Sequence, residues 1–189
     1  MSEHENDEVL QEEAVENKAI DGEENIEDDA RVDQGPTKQF LTFNVGAEEY
    51  GIDLLKIREI KGWVDTTRLP NTPEFMKGVI NLRGAVIPIL DLKGRFDMGE
   101  TQPTEKHVVI IVAVGDRFMG ILVDSVSDIV GVGANSIKTA PQMESKLDDS
   151  FVSGLISLDK KMVVLLDVDN MFDPEHLKAA SDVSPSDLD

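Results

Sequence analysis

Short apolar runs separated by turn residues dominate the middle of the chain. The runs at 40–45 and 50–52 flank the glycine-containing loop 46–49, and this pattern predicts a β-hairpin. The runs at 107–114 and 118–123 lie on either side of another glycine-containing turn and predict a second hairpin of the same kind. Many short strands with regular turns are typical of a small barrel or sandwich.

Helix signals are few in the same region. Residues 53–56 predict one capped helical turn before a strand over 57–60. The stretch TPEFMKG predicts a helical turn that leads into Val79, with Thr72 as N-cap, Pro73 at the first helical position and Gly78 as the stop. We therefore expect a fold built mainly of strands.

The middle of the chain nearly repeats itself. VGAEEYGIDLLKIREIKG from Val45 aligns without gaps to VGDRFMGILVDSVSDIVG from Val114, and GVINLRGAVIPILDLKGRF from Gly78 aligns to GLISLDKKMVVLLDVDNMF from Gly154. Two blocks in the same order predict a duplicated unit, with approximate copies over 39–106 and 107–172. Each copy is small for an independent core, so we expect the halves to share a core or exchange strands.

The last hairpin of each copy keeps its framework but changes its tip. The first copy has NLRG at 81–84 where the second has SLDK at 157–160. Gly84 permits a positive φ and a tight turn, so we expect Arg83 to project from the tip. Pro88 lacks an N–H, which predicts that its strand lies at a barrel edge or a bulge. From spacing alone, a partner-binding tip and a solvated arginine are equally supported.

Acidic residues are concentrated at the two ends of the chain. The 189 residues carry a formal net charge of −20 and no cysteine. Residues 1–38 hold 14 acidic and 3 basic side chains, and residues 173–189 hold 5 and 1. We expect a disordered acidic N-terminal tail over 1–38, a folded region over 39–172 and an acidic C-terminal tail over 173–189. This balance argues against nucleic acid and anionic lipid as partners.

No group of residues suggests catalysis or a cofactor. The histidines are scattered at His4, His107 and His176, so no nucleophile with a base and no metal set assembles from them. DVDN at 167–170 resembles part of a calcium loop but lacks the glycine and the distal glutamate, so a strand-end turn is favoured. The longest apolar run, 108–114, is too short to span a bilayer. We expect a soluble cytoplasmic protein with no catalytic, cofactor or metal site.

The run RLPNTPEFMKGVINLRGAVIPILDL, with EEYGIDLLKIREIKG before it and GILVDSVSDIV after it, closely resembles the CheW family of bacterial chemotaxis coupling proteins. GVINLRG followed by VIPILDL is specific to that family and to the related regulatory domain of the CheA kinase. The match spans nearly the whole of 39–172. It implies a mainly β protein made of two five-stranded SH3-like barrels.

The same resemblance implies a role. CheW-family proteins are non-catalytic adaptors that join the cytoplasmic tips of methyl-accepting chemoreceptors to the CheA histidine kinase in a signalling array. No histidine-kinase or receiver sequence flanks the match, so we expect a stand-alone coupling protein recruited from the cytoplasm to membrane-associated arrays. The alternative is a small-ligand-binding double barrel, because barrel mouths and grooves between domains bind molecules.

Partner-binding residues carry over only where the letters match the family motif. The resemblance implies that the partner-binding residues are Arg83 and Gly84 at the tip, Glu59 and Ile60 in REIKG, and the neighbours Ile57, Gly78, Val79 and Val86. An arginine beside a glutamate offers charge-assisted bonding, and apolar neighbours offer burial. Lys61 stands where arginine is common, which keeps the charge but loses the planar fork. A plain core role is favoured for Ile57 and Val79 taken singly, and a solvated strand position is equally supported for Glu59.

Overall fold

Hairpins and very short helices make up the part of the chain that the computed structural model describes, namely residues 36–140, 149–159 and 161–179. The strands are β1 (Thr37–Val45), β2 (Glu48–Asp53), β3 (Ile57–Gly62), β4 (Met76–Leu82), β5 (Ala85–Asp91), β6 (Val108–Val114), β7 (Arg117–Val123), β8 (Ser125–Gly133), β9 (Val152–Leu158) and β10 (Lys161–Leu166). The helices are α1 (Leu92–Arg95), α2 (Val168–Met171) and α3 (Pro174–Ala179), and 3₁₀ turns cover Leu54–Lys56, Ala134–Ser136 and Asp149–Phe151.

The strands form two five-stranded sheets that exchange elements between the two repeats. Sheet A has the order β8-β1-β2-β10-β9, and sheet B has the order β3-β6-β7-β5-β4. Each sheet therefore takes the first hairpin of one repeat and the last three strands of the other. The exchanged strands meet in two parallel pairs, β2 with β10 and β5 with β7. The expectation of a mainly β fold is confirmed.

The two edges of each sheet are joined by the chain that follows an edge strand. Beyond β3, Thr67 and Val79 of β4 exchange two backbone hydrogen bonds of 2.9 Å. Beyond β8, Lys138 and Leu155 of β9 exchange two of 2.9 and 2.8 Å. Gly78 allows the first approach, because a Cβ at this position would lie 2.3 Å from the Thr67 carbonyl oxygen. These bridges bring opposite ends of each sheet together.

The core is shared between the sheets, as the small size of each repeat requires. Strand β6 is buried on both faces, with Val109 and Ile111 in a cluster interior to sheet B, and Ile110 and Val112 in a larger cluster. Residues that join the larger cluster from both sheets include Leu41, Phe43, Tyr50, Ile52, Leu90 and Ile121. Each such aliphatic side chain contributes roughly 1.5–3 kcal/mol on burial. The two sheets consequently stabilise each other.

Several local predictions are confirmed, and the structure adds three helices that were not predicted, of which α3 lies within the predicted C-terminal tail. The capped turn forms as the 3₁₀ turn Leu54–Lys56, with the Asp53 carboxylate accepting from the Leu55 amide. Helices α1 and α2 each follow the last strand of a repeat, and their N-caps are Asp91 and Asp167. The tail predicted over 1–38 lies outside the described residues except for 36–38, where β1 already begins.

The helical turn predicted at TPEFMKG forms only in part, without the predicted cap and stop. Strand β4 already begins at Met76, and a single turn bond from the Met76 amide to the Pro73 carbonyl precedes it. The Thr72 hydroxyl donates to the Leu69 carbonyl at 3.0 Å instead of capping a helix. From Met76 onward the chain is held extended by pairing with β5 and by the bridge between Val79 and Thr67, so tertiary pairing overrides the local helix signals.

The predicted edge position of the Pro88 strand is also wrong, because β5 lies between β7 and β4. Pro88 is opposite Val79, whose own N–H and C=O both bond to Thr67, so this pair needs no donor from Pro88. On the other side, the parallel ladder with β7 begins at Ile89, opposite Gly120. Proline thus occupies a position where neither ladder uses its nitrogen. The β4 register shift falls nearby, between Met76 and Gly78, rather than at Pro88.

No helix among residues 36–140, 149–159 and 161–179 is long and apolar enough to cross a membrane.

Candidate partner-binding surface

The β4–β5 turn presents Arg83 to solvent. Arg83 and Gly84 have φ values of 52° and 89°, which suit a tight two-residue hairpin turn. The Asn81 side-chain oxygen accepts from the Gly84 amide at 2.8 Å and fixes the turn. The Arg83 side chain is 79% exposed. The expected projection of Arg83 from the tip is confirmed.

The Thr67–Val79 bridge, which closes sheet B into a barrel, brings Glu59 to this tip. Glu59 lies on β3, which is separated from β4 by three strands in the sheet order but is linked to it by the Thr67–Val79 bridge. The Arg83 Nη2 atom lies 3.3 Å from Glu59 Oε2. The Glu59 side chain is 26% exposed, and an ion pair at the surface contributes only about 0–1 kcal/mol to stability, so the more exposed Arg83 can take part in other contacts at little cost.

Two exposed apolar residues follow the charged residues along the chain. Ile60 follows Glu59 on β3, on the opposite face of the strand, and is 43% exposed, and Val86, two residues beyond the turn glycine, is 68% exposed. We call Arg83, Gly84, Glu59, Ile60 and Val86 the tip surface. Exposed branched aliphatic residues next to a directional charged group are the composition of a protein interface, with an apolar area and a polar rim.

Three of the residues carried over from the family lie beneath this surface. Ile57 packs against the shared core cluster, which agrees with the favoured core role. Val79 is half-buried and its backbone is bonded to Thr67. Gly78 is buried, with a φ of 123°, under the Thr67 backbone, so the structure gives it a packing role and no exposed surface.

Sheet A, which we call the second barrel, has a related surface of opposite charge, whereas the tip surface belongs to sheet B, the first barrel. The position aligned with Ile60 is Ile129, which is 49% exposed, and the position aligned with Val86 is Met162, which is 51% exposed. Asp128 and Asp159 stand where Glu59 and Arg83 stand in the first repeat. The apolar pair is therefore duplicated, but the arginine is not.

Sequence reasoning missed Leu55, the most exposed large hydrophobic residue among those described. Leu55 is 91% exposed on the 3₁₀ turn that links β2 of sheet A to β3 of sheet B. Its neighbour Lys56 forms an ion pair with Asp169 of α2, and this hydrogen bond raises the pKa of Lys56. The sequence offers two adjacent leucines and no signal to tell the exposed Leu55 from Leu54, which packs on the core.

An apolar pocket of about 240 Å³ opens between the sheets near the β6–β7 turn. It is lined by Val114, Arg117, Met119, Phe172, Pro174 and Leu177. The first three residues belong to sheet B, and the others follow β10 of sheet A. The pocket is therefore part of a groove between the two barrels.

Of the residues considered for metal binding or catalysis, His107 and the DVDN turn have structural partners, whereas His4 and the His176 side chain lie outside the described residues. His107 Nδ1 accepts from the Thr104 amide at 3.0 Å, and its Nε2 lies 3.7 Å from Asp124. Asp167 of DVDN caps α2, accepting from the amide and the side chain of Asn170 at 3.1 Å each. Within the described ranges, no cluster of three or more His, Cys, Asp or Glu side chains could hold a metal ion.

Comparison with known proteins gives consistent matches over the folded region. The family model described as CheW-like domain matches residues 39–176. The chemotaxis protein CheW of Klebsiella aerogenes is 40% identical over 149 residues, which cover 79% of this chain and 90% of the relative. A probable chemotaxis protein CheW of Rhizobium etli is 38% identical over 143 residues, covering 76% of this chain and 92% of the relative.

A solved structure agrees with these sequence matches. The crystal structure of scaffolding protein TtCheW from Thermoanaerobacter tengcongensis is 34% identical, with a TM-score of 0.68, and the match covers 73% of this chain and 89% of that one. Sheets A and B are accordingly two SH3-like barrels, as the sequence resemblance implied. With a family model that spans most of the chain and relatives of this identity, the chain belongs to the CheW family.

Proposed function

We propose that this chain is a non-catalytic adaptor that couples methyl-accepting chemoreceptors to a CheA-type histidine kinase. Similar proteins are named chemotaxis protein CheW, and a solved structure similar to this one is described as a scaffolding protein. The observation that carries the proposal is the exposed Arg83 turn with its ion-pair partner Glu59, which lies on strands that also expose the aliphatic residues Ile60 and Val86. Such a surface suits protein recognition better than chemistry.

The regulatory domain of the kinase would bind the tip surface. Val86 and Ile60 would supply the area buried on binding, and Arg83 would supply charge-assisted hydrogen bonds that fix the orientation. Arg83 is well suited to this role because its ion pair with Glu59 is exposed and can be exchanged for a partner carboxylate. The related surface of the second barrel, with the apolar residues Ile129 and Met162 and the acidic residues Asp128 and Asp159, would make a distinct contact of its own.

The receptor tip would bind in the groove between the barrels. A receptor's helical hairpin needs an apolar groove, and the pocket beside Met119 and Leu177 supplies one. Leu55 lies on the link between the barrels, where an almost fully exposed leucine would be covered by a partner. We propose that binding here and at the tip surface holds receptor and kinase in a fixed relative geometry.

Transmission of signal by such an adaptor needs no chemistry of its own. Each interface is modest, but several of them in one array raise the overall avidity because later contacts form within an existing assembly. The adaptor would be recruited from the cytoplasm to the inner ends of the receptors.

The test is calorimetric titration of the full chain with the regulatory domain of a CheA-type kinase from the same organism. We expect saturable binding that Arg83→Glu weakens about tenfold or more, since a close charge pair would become repulsive. Lys106→Glu is the matched control, because Lys106 is exposed and its side chain forms no ion pair with any described residue. The proposal fails if no regulatory domain binds, or if both variants lose binding equally with unchanged circular dichroism.

A further inference from the structure

The apolar pocket between the sheets is bordered by the last helix that the structure describes. Its volume is about 240 Å³, and its apolar walls include Val114, Met119, Phe172 and Leu177. Met119 and Phe172 belong to the shared core cluster, and Val114 and Leu177 pack against that cluster. The pocket is therefore a part of the core surface that another apolar side chain can still cover.

The chain continues directly from this border. Helix α3 ends at Ala179, two residues after Leu177. The segment ASDVSPSDLD at 180–189 follows and lies outside the described residues. Its branched aliphatic residues are Val183 and Leu188, and the rest are small or acidic. Because an extended chain advances about 3.3–3.6 Å per residue, the four residues from Ala179 to Val183 can span the short way back to the pocket.

A segment attached this close needs little affinity of its own. A short flexible linker holds a tethered group near its site at an effective concentration of about millimolar order. Burial of an aliphatic side chain in an apolar pocket is favourable and demands no exact geometry, since the hydrophobic effect is non-directional. One or two such side chains are therefore enough to keep the pocket covered in a substantial fraction of the molecules.

Charges at the mouth of the pocket do not decide this contact. The Arg117 guanidinium lines the pocket and forms no hydrogen bond or ion pair with a described residue, so it attracts the aspartates of the segment. Asp116 and Asp173 line the adjoining part of the groove and oppose that attraction. With these effects offset, apolar burial is the main source of affinity, and the contact should persist at high salt.

We propose that residues 180–189 bind back to this pocket through Val183 and Leu188 and so compete with a receptor for the groove between the barrels. The competition rests on the proposed function, whereas the intramolecular contact does not. A receptor tip would displace the segment because it offers a larger apolar surface. Until then, the apparent affinity for the receptor is reduced by the fraction of molecules in which the pocket is free.

The contact is tested by paramagnetic relaxation enhancement in the full chain, without any partner. The chain has no cysteine, so Ser186→Cys provides a single site for a nitroxide label. We expect the label to remove most of the intensity of the Met119 and Leu177 methyl signals, and high salt should not restore it. Intact methyl signals in the labelled chain would overturn the proposal.

Two double variants of the segment separate apolar binding from charge. Val183→Asp with Leu188→Asp should restore the methyl signals of the labelled chain, because both apolar side chains are lost. Ser181→Asp with Ser184→Asp is the matched control, since it adds the same charge to the same segment and should leave the signals suppressed. Equal behaviour of the two double variants would contradict binding through the aliphatic residues.

A second copy of the chain is the alternative occupant of the pocket. Labelled chains without isotope enrichment are therefore mixed with unlabelled, enriched chains. Intact Met119 and Leu177 signals in this mixture support a contact within one chain. Loss of these signals in the mixture would assign the pocket to a second copy and overturn the proposal.

Competition with a receptor has its own measurement. The Val183→Asp, Leu188→Asp variant should bind a receptor-tip fragment about threefold more tightly than wild type, because the pocket is then always free. The Ser181→Asp, Ser184→Asp variant should bind it like wild type. Equal affinities of all three proteins would contradict the competition. If the fragment binds none of them, the proposed receptor contact fails, whereas the intramolecular contact is still judged by the relaxation data.

Discussion

The guanidinium of Arg83 reaches across the closed barrel to Glu59, with 3.3 Å between Nη2 and Oε2, although 24 positions separate the two residues. The aligned residues in the second repeat, Asp159 and Asp128, carry like charges and cannot form such a pair. The contact is therefore particular to the first copy of a duplicated framework. Our proposal that this tip binds a partner therefore predicts that recognition there can be separated from folding.

Exchanging the two charges should separate the ion pair from partner binding. Arg83→Glu and Glu59→Arg should each cost less than about 1 kcal/mol of unfolding free energy, and the double variant should recover that loss. Binding to the kinase regulatory domain should stay weakened in the double variant, because the partner meets the wrong sign of charge. Urea unfolding and calorimetry of all the variants measure both quantities. Recovered binding in the double variant would mean that the pair acts only within this chain.

Leu55→Asp should weaken receptor binding selectively. The side chain is 91% exposed, so the change should alter stability by no more than about 0.5 kcal/mol. A charge placed on the exposed link between β2 and β3 should reduce the affinity for a receptor-tip fragment about tenfold, and affinity for the kinase domain should stay the same. Pull-down with each partner in turn checks this, with Leu55→Ala as the milder comparison. Equal loss of both partners would argue for one common surface.

Gly78→Ala should destabilise the protein strongly. The new Cβ would lie 2.3 Å from the Thr67 carbonyl oxygen, and φ is 123°, so both clash and backbone strain oppose it. We expect a loss of roughly 2–4 kcal/mol in the free energy of unfolding. Gly62→Ala is the matched control, since a Cβ there meets nothing within 4 Å. If the two variants unfold at the same denaturant concentration, the close approach of β4 to Thr67 is not as described.

Pro88→Val should extend the parallel ladder between β5 and β7. The aligned residue Val164 pairs with Tyr50, one position further than the first repeat allows. A valine at 88 would restore a backbone donor on the side that faces β7, and stability should change by less than about 1 kcal/mol. Amide hydrogen exchange by NMR should then show a protected amide at position 88. Rapid exchange of that amide would show that the strands diverge for another reason.

Stability should depend on the ionisation of Glu100 in mildly acidic solution. The Lys77 hydrogen bond lowers the pKa of the Glu100 carboxyl below its usual value of 4.5. Its contribution is therefore present above that value and is lost as the pH falls through the lower folded pKa. The stability difference between wild type and Glu100→Gln should be largest near neutral pH and shrink in acid, while Glu105→Gln, an exposed glutamate of the same loop, should show no such trend. A difference that stays constant with pH would rule out the ion pair as its source.

The turn-borne part of the site was predictable from sequence, because Gly84 and the flanking apolar runs specify a tight turn whatever surrounds them. The Glu59 contact was not, since it depends on barrel closure by the Thr67–Val79 bridge. Pro88 illustrates the same limit: a missing donor indicates an unpaired nitrogen but not which side of the strand it faces. The acidic N-caps of α1 and α2, in contrast, were visible at Asp91 and Asp167 and could have been used.

The exchanged hairpins have a consequence for how the chain is made. During synthesis, sheet B has all of its strands once Val123 has left the ribosome, whereas β1 and β2, made first, must wait for β10, which ends at Leu166. The nascent hairpin therefore holds an unpaired strand edge and an uncovered apolar face until translation is almost complete. A pause or truncation before the final strands therefore leaves an aggregation-prone intermediate. Correct folding of β1 and β2 depends on translation of the C-terminal strands with which they pair.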